Sequence, residues 1–86
     1  MLITKPIVAE RMVAYLRHEI TLEQLVDWAE KAMMEADFHE RDMEALRTVI
    51  ARLGVADVRA FGLAWEDCEQ MLGRLGYSAR VDIVAA

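Results

Sequence analysis

Apolar side chains recur along most of this chain with the 3.6-residue period of a helix and switch to a two-residue period only near its end. The spacing predicts a first helix from about Lys5 to His18, with Thr4 as N-cap and Pro6 in the first turn, where a missing N–H costs little. Val8, Ala9, Met12, Val13, Tyr15 and Leu16 share one of its faces, and Glu10, Arg11, Arg17 and His18 take the other. A second helix starts at Thr21, where Thr21-Leu22-Glu23-Gln24 fits a capping box, and runs to about Ala36. Its inward arc is Leu22, Leu25, Val26, Trp28, Ala29, Ala32, Met33 and Ala36. A third, about Glu40 to Leu53, turns Met43, Leu46, Val49, Ile50 and Leu53 inward. A short helical turn from Ala56 to Phe61 places Val58 beside Phe61. The last helix, about Trp65 to Leu75, gathers Trp65, Cys68, Met71, Leu72 and Leu75 into one arc and leaves Glu66, Asp67, Glu69, Gln70 and Arg74 outside it.

Gly54, Gly62 and Gly76 each follow an apolar-periodic stretch, where a left-handed cap residue is expected; Gly73 falls inside a helix and weakens it. After Gly76, Tyr77, Ala79, Val81 and Ile83 alternate with Ser78, Arg80 and Asp82, the pattern of a half-buried strand. A lone strand leaves its backbone groups unpaired. It pairs either with the N-terminal segment Met1 to Thr4, the preferred arrangement, or with another molecule through Arg80 to Val84, which makes a homodimer. The expected fold is therefore mostly α: one domain over residues 1–86, a compact bundle of four to five helices with a short C-terminal β-strand. Its core is expected to hold Leu16, Leu25, Trp28, Leu46, Ile50, Phe61, Trp65, Cys68 and Leu72.

Composition agrees with a small globule. Of 86 residues, 56% are hydrophobic and 29% charged, above the range of disordered chains. A chain this short buries only about 60–65% of its extended surface, so its stability is expected to be modest. The formal net charge of −5 disfavours nucleic acid and anionic lipid as partners. No apolar run approaches a membrane span, no secretory layout opens the chain, and a single cysteine forms no internal disulfide, so a cytoplasmic location is expected.

The inventory of reactive groups argues against an enzyme, and no cofactor is expected. The only serine, Ser78, lies in the strand-like tail without a nearby histidine. Cys68 sits at the centre of an apolar arc, where a thiol is held protonated. Glu35, His39 and Asp42 offer metal-type ligands across one loop, but their spacing matches neither a His-Glu-x-x-His site nor an EF-hand, and His39 is expected as an exposed loop residue. A helix-turn-helix is sketched by Val55 to Phe61, the Gly62-Leu63-Ala64 turn and Trp65 to Leu75. Its reading helix would bring Glu66, Asp67 and Glu69 to DNA phosphates with Arg74 as its one cation.

Charge is unevenly spread. Residues 19–44 hold nine acidic and two basic side chains, a net −7, whereas the remainder carries +2. Glu23, Asp27 and Glu30 fall at i, i+4 and i+7 on the outward side of the second helix, and Met34 continues the same stripe. A solvated face with an incidental methionine explains this layout. So does a docking surface, with an apolar anchor set in carboxylates that attract a basic protein.

Two stretches, Thr21-Leu22-Glu23-Gln24-Leu25-Val26-Asp27-Trp28-Ala29-Glu30 and Phe61-Gly62-Leu63-Ala64-Trp65-Glu66-Asp67-Cys68, resemble small helical bacterial proteins and, more loosely, helical antitoxins and bacteriocin immunity proteins. The resemblance covers about a quarter of the chain and includes no catalytic signature. It implies a bacterial inhibitor whose acidic helical surface blocks a basic toxin, with Glu23, Asp27 and Glu30 in that part. The paired interface tyrosines of such inhibitors have no counterpart, because Tyr15 and Tyr77 stand far apart. Val84-Ala85-Ala86 is similar to the small apolar tails gripped by bacterial unfolding proteases.

The expectation is thus a protein-interaction module, of inhibitor, immunity or antitoxin kind, with Glu23, Asp27, Glu30 and Met34 as partner-binding residues. A divergent helix-turn-helix regulator and a small metal-binding protein or enzyme stand as the alternatives.

Overall fold

The computed structural model describes residues 2–35, 37–58, 62–80 and 83–85. Leu2–Ile3 forms a short strand, β1, and leads into helix α1 over Lys5–Leu16. Thr4 holds the extended backbone of an N-cap, but its side chain makes no capping hydrogen bond. Pro6 lies in the first turn, and helical bonding begins with the Val8 N–H on the Thr4 carbonyl at 3.2 Å. Helix α2 spans Leu22–Glu35 and starts from the expected capping box. The Thr21 N–H donates to Gln24 Oε1 at 2.8 Å, and the Gln24 N–H donates to Thr21 Oγ1 at 3.1 Å.

The chain then returns to its own beginning. Strand β2, Asp37–Phe38, pairs in parallel with β1, Leu2 opposite Asp37 and Ile3 opposite Phe38; the His39 N–H extends the ladder to the Ile3 carbonyl at 3.2 Å. A 3₁₀ turn over Glu40–Asp42 enters helix α3, Met43–Leu53. Turns occupy residues 54–58, and helix α4 spans Trp65–Arg74. Four α-helices and one two-stranded parallel sheet therefore stand among the described residues.

One core joins them. Ile3, Val8, Met12, Leu25, Ala29, Leu46, Val49, Ile50, Leu53, Cys68 and Leu72 are buried together. Of the expected core, Leu25, Leu46, Ile50, Cys68 and Leu72 are buried, Leu16 and Trp28 pack half-buried against its edge, and Trp65 is half-buried. Phe61 lies outside the described residues. The Arg11 guanidinium stands over the Trp28 ring, 5.4 Å from its centre, and ties α1 to α2.

Several expectations need correction. The strand expected from Tyr77 to Ile83 is not formed among the described residues: 77–80 and 83 belong to no strand, while Val81 and Asp82 lie outside the description. The N-terminal segment bonds to β2 instead, which places Ile3 in the core and Phe38 against it. The short helix expected at Ala56 to Phe61 is a run of turns as far as Val58, and 59–61 lie outside the description. Gly54 is no left-handed cap; with φ −64° and ψ −16° it carries the α3 backbone onward into those turns, whereas Gly62 (φ 61°) and Gly76 (φ 90°) are left-handed as expected. Met33 and Met43, expected inside, are exposed; each stands at one end of its helix, outside the buried stretches Leu25 to Ala32 and Leu46 to Leu53.

Candidate functional site

Helix α2 presents two opposite surfaces. Leu25, Val26, Ala29 and Ala32 are buried on one, so the 3.6-residue period turns Glu23, Asp27, Glu30 and Met34 outward along the other. All four are exposed, in a stripe about 16 Å long at about 1.5 Å per residue. The structure thus brings the four expected residues onto one open helix face. Glu23 also sits in the first turn, where its charge complements the helix dipole. Among the described residues none of the three carboxylates forms an ion pair or hydrogen bond. The Glu30 stem lies beside Gly54, its Cγ 3.9 Å from where a Cβ there would stand, so its carboxylate is carried at the α2–α3 boundary.

Met34 is the most exposed large apolar side chain on any helix, at 82% of its free surface, and Met33 adds a further 43%. The flexible thioether of methionine adapts to partners of different shape, which suits an exposed anchor. Sequence periodicity located Met34 but assigned Met33 to the interior, because Met33 falls within the angular range of the buried arc yet stands in the last turn of α2, beyond Ala32, where it is exposed.

The other candidate chemistries disperse. Cys68 is buried, and its thiol is pushed above its ordinary value by burial first and by the Asp67 carboxylate second, with Arg52 working the other way; the group stays a protonated core side chain at neutral pH. Asp42 Oδ1 meets the Lys5 ammonium at 3.2 Å, and its Oδ2 lies 3.9 Å from His39 Nδ1. Among the described residues no three His, Cys, Asp or Glu side chains gather closely enough to hold a metal ion. At the start of α4, Asp67 Oδ2 accepts the Ala64 N–H at 2.8 Å and lies 3.4 Å from Arg52 Nη2. Of the acidic residues that open the would-be reading helix, Asp67 is thus engaged within the fold while Glu66 stays exposed, and residues 55–58 form turns in place of a preceding helix.

Sequence reasoning missed a groove of about 1010 Å3 between α1, α4 and the segment after Gly76. Val13, Ala14, Trp65, Leu72 and Tyr77 supply apolar lining, and Glu10, Arg17, Glu19 and Arg80 stand among the polar residues around it. Only the half-buried state of Val13 and Ala14 marks it on α1, and that emerges from packing rather than from the pattern of the chain. A smaller hollow of about 210 Å3 adjoins Tyr15, His18 and Cys68.

No family model matches this chain, and no curated protein or solved structure matches it either. Among the described residues no helix is long and apolar enough to cross a membrane.

Proposed function

We propose that this protein is a cytoplasmic protein-interaction module, of the inhibitor, antitoxin or immunity kind, that binds a basic protein partner through the outer face of α2. The observation that carries the proposal is the stripe of Glu23, Asp27 and Glu30, exposed and without ion pairs among the described residues, ending on an 82%-exposed methionine. Three like charges along one face repel one another by a few tenths of a kcal/mol per neighbouring pair, a cost that an opposing cationic surface removes. The concentration of −7 within residues 19–44 extends this field beyond the contact itself and speeds encounter with an oppositely charged partner. Met34 then supplies the desolvated contact that charge alone does not.

Affinity purification and mass spectrometry identify the partner, and binding is then measured between the two purified proteins. The triple variant Glu23→Lys, Asp27→Lys, Glu30→Lys is expected to abolish binding with unchanged helical circular dichroism. Met34→Ala is expected to weaken it roughly tenfold. The wild-type association rate should fall as salt is added. Equal affinity of the triple variant and the wild type would refute the assignment.

A further inference from the structure

We draw no further inference here: the strongest candidate, the groove between α1, α4 and the segment after Gly76, has its own Arg17 and Arg80 standing with Glu10 and Glu19, and nothing in the structure shows what covers it.

Discussion

His18 adopts φ 63°, a left-handed backbone that a side chain with a Cβ enters only at a cost. The reason lies in the end of α1, where the Glu19 N–H reaches the Ala14 carbonyl at 2.8 Å and the His18 N–H reaches that of Tyr15 at 3.0 Å. These are the two bonds of a Schellman turn, and they require a left-handed residue between them. The end of α4 repeats them through Tyr77 to Leu72 at 2.9 Å and Gly76 to Gly73 at 3.1 Å, but with glycine in the left-handed place. His18→Gly should therefore stabilise the protein by about 1 kcal/mol, seen as a higher urea midpoint at unchanged slope. A lower midpoint would show that the imidazole contributes more than the backbone strain removes. Single residues were only partly legible in the sequence for this reason. A glycine after an apolar run marks a left-handed cap at Gly76 and a plain turn at Gly54, and the same local cue precedes both.

Helices α2 and α4 differ at their starts in an instructive way. In α2 both halves of the capping box form, since Thr21 and Gln24 each have a side-chain oxygen. In α4 only Asp67 reaches back to the Ala64 N–H, because alanine offers no acceptor in return. Ala64 already has the extended conformation of an N-cap, φ −88° and ψ 166°, and is exposed. Ala64→Ser should complete the box and stabilise by about 0.5–2 kcal/mol in the same urea measurement. An unchanged midpoint would mean that the α4 end is already satisfied. Elements bounded by such local signals were legible: α1, α2, α3 and α4 stand within a few residues of their expected limits. The parallel pair was not, because Asp37–Phe38 is too short to show any period and its partner lies thirty-five residues earlier. Alternation from Tyr77 to Ile83 has no matching strand among the described residues, because it records which side chains are apolar without saying whether a strand lies beside them.

In the whole molecule, burial and charge are separated with little overlap. Leu72 sits 3% exposed within the core that unites all four helices, so Leu72→Ala should destabilise by about 2–5 kcal/mol. Coincident urea midpoints of variant and parent would place that side chain outside the load of the core. The acidic stripe was legible because helix spacing alone fixes which residues share a face, and Glu23, Asp27, Glu30 and Met34 are all exposed on α2. The groove was not legible, because its walls come from α1 and from residues forty-nine or more positions later. Outer face and groove thus offer two separate surfaces, one charged and one apolar, on a molecule with a Cα radius of gyration of 12.7 Å. Amide NMR spectra of the labelled protein, titrated with its purified partner, distinguish them residue by residue. Binding through the acidic face should shift resonances between Leu22 and Glu35, most strongly near Asp27, Glu30 and Met34. A footprint confined to α1, Trp65 and Tyr77 to Arg80, with α2 unmoved, would contradict it.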